Sequence, residues 1–260
     1  MNAIRLKTEH LTDPIGIDFR KPRLFWNCDG GERQTAYQVI ASNDTGKCLW
    51  DSGKVESHSM RCAWGSEDVK PKTRVLWKLR LWDETDTPGN WVQASFETGI
   101  DSWKARWITG NYKVDKRQRY PVDCFRKTFT TGAVRKARLY ITACGLYEAK
   151  LNGQRVGNFI LAPGITDYRK RVQYQTYDVT ELVRNGENAL TVQLADGWYR
   201  GSCGAWGLKN QYGTETKLLA QLEITDETGN VQTIVTDETW NWSNDGPVRF
   251  ADNKDGEVFN

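Results

Sequence analysis

Gly145-Leu146-Tyr147-Glu148, Leu151-Asn152-Gly153, Leu161-Ala162-Pro163-Gly164, Thr166-Asp167-Tyr168, Tyr177-Asp178-Val179-Thr180, Gly186-Glu187-Asn188 and Asp196-Gly197-Trp198-Tyr199-Arg200-Gly201 follow one another at close, regular intervals. Each piece is a strand end or a turn, and the segments between them alternate apolar with polar residues. Asn152-Gly153 supplies the two positive-φ positions of a tight hairpin, and Pro163-Gly164 punctuates a loop. Together they predict a β-sandwich.

Working outward, strands are expected at Cys124 to Phe129, Arg135 to Thr142, Tyr147 to Leu151, Val172 to Tyr177, Ala189 to Leu194, Leu218 to Ile224, Val231 to Val235 and Thr239 to Trp242. Asp178 to Arg184 is expected to make a helical turn, with Asp178 as N-cap, Glu181 reciprocating, and Asn185-Gly186 as the stop. Upstream, Leu24-Phe25-Trp26, Ala36-Tyr37-Gln38-Val39-Ile40, Val75 to Trp82 and Ala94 to Thr98 are short alternating runs separated by turn residues such as Asn43-Asp44-Thr45-Gly46. No helical period appears, so the whole chain is all-β: two tandem β-sandwiches over residues 1–98 and 107–260. Residues 99–106 join them, with Trp103 and Trp107 expected to pack at the junction.

The first domain resembles a fibronectin type III or immunoglobulin-like sandwich. Trp26 stands on an early strand, Tyr37 on the next, Trp77-Lys78-Leu79-Arg80-Leu81 on a late one, and Phe96-Glu97-Thr98-Gly99 closes the pattern. Val75 departs from it, standing where that family usually places its corner tyrosine. The motifs of the second domain, in their order and spacing, resemble the N-terminal β-sandwich of bacterial α-L-rhamnosidases, related to galactose-binding-like jelly rolls. That resemblance implies a parent enzyme that removes terminal α-L-rhamnose from glycosides. It also implies that acid and base sit on a helical barrel following these sandwiches, so that this chain, ending at Asn260, holds no catalytic residue and has the barrel as its partner.

Composition sets outer bounds. At 260 residues with a mean hydropathy of -0.67, the chain can bury two cores. No stretch approaches the ~20 apolar residues of a membrane span, and Met1 to Lys7 lack a secretory apolar run. Cys28, Cys48, Cys62, Cys124, Cys144 and Cys203 show no CxxC or metal-ligand spacing, so reduced thiols in the cytoplasm are expected. Net charge is +3, with 11 Lys/Arg against 3 Asp/Glu in residues 99–138. That block lacks a recognition motif or interleaved stacking aromatics, which argues against nucleic acid.

Enzyme signals are missing from the motifs. There is no nucleophile elbow and no phosphate loop, His10 and His58 lie outside any triad pattern, and no pair among the 33 acids is in a diagnostic arrangement for glycoside hydrolysis. No cofactor is implied, and no Asp-rich loop with calcium-binding spacing appears. Sugar binding remains, because sugar C–H faces stack on aromatic rings while hydroxyls need polar partners. Asp196, Trp198, Tyr199 and Arg200, with Trp206, gather those residue types at one strand exit, and Tyr147, Asn152, Asp167 and Tyr168 are candidates for the same rim. The alternative is that Trp198 and Tyr199 plug the sandwich edge or pack on the barrel. Three functions stay open at this stage: accessory architecture of an α-L-rhamnosidase, a stand-alone carbohydrate-binding module, and a protein-interaction pair of sandwiches.

Overall fold

The structure, a computed structural model, describes residues 1–260 and divides into two compact units, Met1–Asp101 and Ser102–Asn260. In both units the regular secondary structure is almost wholly strand.

Unit 1 contains β1 (Asn2–Thr8), β2 (Ile15–Ile17), β3 (Arg23–Asp29), β4 (Ala36–Asn43), β5 (Cys48–Asp51), β6 (Val55–Glu56), β7 (Arg61–Ala63), β8 (Arg74–Trp82) and β9 (Val92–Thr98). One sheet runs β1-β3-β7, the other β2-β9-β8-β4-β5, with β6 also on β4. In β8 the side chains of Val75, Trp77, Leu79 and Leu81 are fully buried, the two-residue period of a strand with one face on a core. Leu24, Trp26, Val39 and Phe96 meet them from other strands. Trp26 keeps its indole N–H satisfied by donating to Gln34 Oε1 at 2.8 Å, and Gln34 in turn donates to the carbonyls of Ser57 and Ser59.

Unit 2 contains β10 (Asp123–Thr131), β11 (Lys136–Cys144), β12 (Leu146–Leu151), β13 (Gln154–Arg155), β14 (Gln175–Asp178), β15 (Gly186–Ala195), β16 (Lys217–Thr225), β17 (Val231–Val235), β18 (Asn241–Ser243), β19 (Val248–Asp252) and β20 (Gly256–Phe259). A five-stranded sheet runs β13-β12-β15-β10-β18 and a four-stranded sheet β14-β11-β16-β17; β19 and β20 form a separate hairpin. Every pairing in this unit is antiparallel. Between the two sheets lies one core, to which β15 contributes Leu190, Val192 and Leu194 and β16 contributes Leu218, Ala220, Leu222 and Ile224. Each fully buried Leu or Ile of this kind contributes roughly 1.5–3 kcal/mol of transfer free energy.

The hairpin at Asn152-Gly153 has the two positive φ values read from the sequence, +53° and +82°. Asn152 is held there by its own amide, which donates to the Leu182 carbonyl and to Asn188 Oδ1 while accepting from the Ala189 N–H.

Other expectations need correction. The helical turn expected at Asp178 to Arg184 is a single 3-10 turn at Thr180–Leu182, but Asp178 is not its N-cap residue: it ends β14, and its Oδ1 accepts from the Thr180 N–H, the Thr180 hydroxyl and Arg138. The strand begun at Val172 starts instead at Gln175. Residues 103–108 lie along unit 2. The Lys104 N–H donates to Gln221 Oε1 and the Arg106 N–H to the Thr236 carbonyl, Ile108 pairs with Leu218, and Trp103 packs edge-on against Tyr174. Trp107 does not pack as expected but is 43% exposed. The β19–β20 hairpin was not legible as strands, because Val248 to Phe259 carries no sustained alternation.

Candidate functional site

β15 delivers the chain to Asp196, and a four-residue helix, Gly197–Arg200, follows where an open loop was expected. Gly197 has φ +53°, and a Cβ there would stand 2.5 Å from Leu146 Cγ, so only glycine fits this corner. The turn places Asp196 and Arg200 one helical turn apart and points both inward. Asp196 Oδ1 accepts from Arg200 Nε at 2.7 Å and from Nη2 at 2.6 Å. Nη1 of Arg200 donates to the Tyr112 hydroxyl at 2.7 Å, and that hydroxyl donates to Asp123 Oδ2. Asp123 is completely buried and also accepts from Thr216 Oγ1 at 2.7 Å and Trp242 Nε1 at 3.0 Å.

A second carboxylate tie closes the same region. Asp252 Oδ2 accepts from the Ser202 N–H, and its Oδ1 accepts from the N–H groups of Lys254 and Asp255. Gly201 leaves room for that contact, since a Cβ there would lie 1.9 Å from Asp252 Oδ2. Burial raises the Asp196 carboxyl above its ordinary value; Arg200 opposes the shift, while Asp252 and Asp123 add to it. Burial also works against the charge of Arg200, but Asp196 and Tyr112 together raise it.

The structure therefore divides the residues chosen from sequence. Asp196 and Arg200 are tied together by a buried ion pair that engages Oδ1 of the carboxylate, and all three guanidinium nitrogens are bonded internally. Tyr147 is 8% exposed, and its hydroxyl donates to Gln175 Oε1 inside the sandwich. Asn152 spends its amide on the hairpin. Asp167 accepts from Arg169 and lies beside Lys170 on an outer loop. Tyr168 and Tyr199 do come together, edge-on at 5.4 Å, with Tyr212 against Tyr168 at 5.0 Å. The phenol of Tyr168 is pushed up to about 12 by burial, and its hydroxyl donates to the Gly164 carbonyl. Trp198 is half-buried, and Trp206 stands 89% exposed at the tip of the Cys203–Leu208 turn. The nine residues thus line no single rim, and the strand exit reads as a structural knot.

An open surface lies elsewhere, on the outer face of the five-stranded sheet. A cleft of ≈ 730 Å³ is bounded by Glu148, Lys150, Arg155 and Gln193 on the sheet, and by Ile160, Leu161 and the β19–β20 hairpin at its walls. A neighbouring cleft of ≈ 430 Å³ continues over Arg126, Thr191, Asn241 and Ser243, sharing Glu148, Lys150 and Gln193 with the first. Sequence reasoning passed over these residues. The Leu146-Tyr147-Glu148-Ala149-Lys150-Leu151 alternation does carry the signal, since it puts Glu148 and Lys150 on the face opposite Tyr147 and Ala149.

The family model of the Rha78A-like N-terminal immunoglobulin domain matches residues 3–102, and that of the alpha-L-rhamnosidase N-terminal domain matches residues 132–260. An alpha-L-rhamnosidase of Formosa agariphila is 32% identical, over 99% of this chain and 31% of the relative. The crystal structure of the native alpha-L-rhamnosidase from Aspergillus terreus superposes with a TM-score of 0.92 at 30% identity, over 99% of this chain and 31% of that one. The alpha-L-rhamnosidase of Streptomyces avermitilis, solved in complex with L-rhamnose, superposes with a TM-score of 0.90 at 25% identity, over 100% of this chain and 42% of that one. The chain spans less than half the length of each of these relatives.

Proposed function

Because the chain belongs to the alpha-L-rhamnosidase family, as its N-terminal two-domain region, we propose that it is the non-catalytic accessory region of an enzyme that removes terminal α-L-rhamnose from glycosides. The observation that carries this reading is the superposition of nearly the whole chain on about a third of the Aspergillus terreus enzyme. The internal geometry supports it. Glycoside hydrolysis needs two carboxyl groups free to flank a scissile bond, and at the strand exit Asp123, Asp196 and Asp252 are all held by internal donors. In this reading the acid and base sit on a helical barrel, and the sandwiches brace it. Phe159 and Ile165 stand exposed on one loop and supply an apolar surface for that contact. In the same reading the chain works in the cytoplasm, a reducing compartment compatible with its six free cysteines.

The test is hydrolysis of p-nitrophenyl α-L-rhamnopyranoside by this chain and by a form as long as its relatives. The expected result is activity in the longer form alone; turnover by residues 1–260 would refute the assignment. A second reading, in which the second sandwich is a galactose-binding-like jelly roll that also binds carbohydrate, is favoured by the clefts on its five-stranded sheet.

A further inference from the structure

The register of the five-stranded sheet lines up polar side chains across its strands. Ser243, Cys124, Gln193 and Glu148 pair in one row, crossing β18, β10, β15 and β12. Two residues along the strands, Asn241, Arg126, Thr191, Lys150 and Arg155 pair in a second row that crosses all five. Residues two apart on a strand point to the same side. Both rows therefore occupy the outer face, opposite the buried Phe125, Val192 and Ala149 of the core. The two clefts above this face share Glu148, Lys150 and Gln193, so they form one groove that runs across the strands.

Its dimensions and chemistry define an occupant. Five strands about 4.8 Å apart give a floor about 19 Å long, more than one monosaccharide fills. The floor alternates donors with acceptors: guanidinium, ammonium, amide and hydroxyl groups beside the Glu148 carboxylate. Charges of both signs line the groove, with Arg126, Lys150 and Arg155 beside Glu148 and Glu257, while Asp252 is tied to backbone N–H groups. Glu148 lies 3.4 Å from the Lys150 ammonium and 3.6 Å from Arg155, so the strongest local charges are already neutralised. A net anion gains little where Glu148 and Glu257 stand among the cations, whereas a neutral chain of hydroxyls can exchange water for these polar partners. An apolar wall closes the groove at one end, formed by Ile160, Leu161, Val248 and Phe259.

We propose that this groove is a binding site for a neutral oligosaccharide several sugar units long, lying across the strands of the five-stranded sheet. The site is distinct from the strand exit at Asp196 to Arg200. The proposal rests on the accessory-region reading only for the identity of the sugar, which that reading makes rhamnose-containing.

Isothermal titration of the 260-residue chain with L-rhamnose, an α-linked rhamnose disaccharide and the tetrasaccharide tests it. Affinity is expected to rise at least about tenfold from mono- to tetrasaccharide as successive positions fill. Arg126→Ala and Lys150→Ala should each weaken tetrasaccharide binding several-fold without changing the melting temperature, and Trp198→Ala should leave it unchanged. Absence of saturable tetrasaccharide binding, affinity independent of chain length, or binding lost in Trp198→Ala but kept in the groove variants would overturn the groove. Binding confined to polygalacturonate would overturn the neutral class. Binding of another neutral tetrasaccharide in place of the rhamnose one, with the same losses in the groove variants, would uphold the groove and refute only the rhamnose assignment.

Discussion

Arg200→Met is expected to destabilise unit 2 by about 3–5 kcal/mol at neutral pH, the cost of stranding a buried partner charge, and the deficit should shrink as the solution is acidified. Arg200 is 5% exposed and is bonded through two nitrogens to Asp196 and through the third to Tyr112. Burial already raises the Asp196 carboxyl with the guanidinium present, and Asp252 and Asp123 push in the same direction. The methionine side chain would fill the volume but remove the one group that lowers it. The folded-state pKa of Asp196 then moves further above its unfolded value, so the folded chain holds a proton that the unfolded chain has released. For a carboxyl raised in this way, stability is fully present below the unfolded pKa and is lost as pH rises through the folded one. The slope is at most about 1.4 kcal/mol per pH unit. Urea unfolding followed by circular dichroism, fitted with separate transitions for two units, reads the deficit near neutrality and again near pH ~4. Adding Asp196→Asn to Arg200→Met removes the stranded charge and should recover much of the neutral-pH loss. A single variant within about 0.5 kcal/mol of the parent at neutral pH, or a deficit that grows on acidification, would refute the view of this cluster as a buried electrostatic knot.

Asn152→Ala removes three hydrogen bonds and a residue suited to φ +53°; an expected loss of about 2–4 kcal/mol is checked by chemical denaturation, and a near-neutral result would mean that the hairpin closes without its amide. Leu194→Ala, at a fully buried position in the centre of the second core, is expected to cost about 2–5 kcal/mol in the same assay. Asp83 is held down at about 2, chiefly by the Thr85 hydroxyl with help from backbone N–H groups. Its contribution is therefore present above the ordinary value of 3.8 and lost as pH falls from there toward 2. Asp83→Asn should flatten that part of the acid-unfolding curve, and an unaltered curve would remove Asp83 from the account. Trp206→Ala should leave stability within about 0.5 kcal/mol, since the ring is 89% exposed; a larger change in melting temperature would show that it packs in solution.

Strand identity was local information. The alternation in Arg74–Trp82 and Gly186–Ala195 is visible over consecutive residues, because a strand repeats every two positions, and both segments are strands with their apolar sides buried. The Asn152-Gly153 hairpin was equally legible, since the conformation of two adjacent residues sets such a turn. The destinations of polar side chains were not. Asp196, Trp198, Tyr199 and Arg200 looked like one exposed constellation, yet the helical turn sends the ion pair inward to Tyr112, 88 positions away in sequence. The groove rows likewise join residues from five strands between Cys124 and Ser243, and a one-residue slip in any pairing would turn that strand's contribution to the opposite face. The sequence by itself determined most of the strands, many of their turns and which of their sides is apolar, because these follow from backbone periodicity and turn chemistry within a few residues. Only the tertiary structure decided which polar groups are spent inside and which face solvent together, because that depends on long-range register and on the burial that register creates.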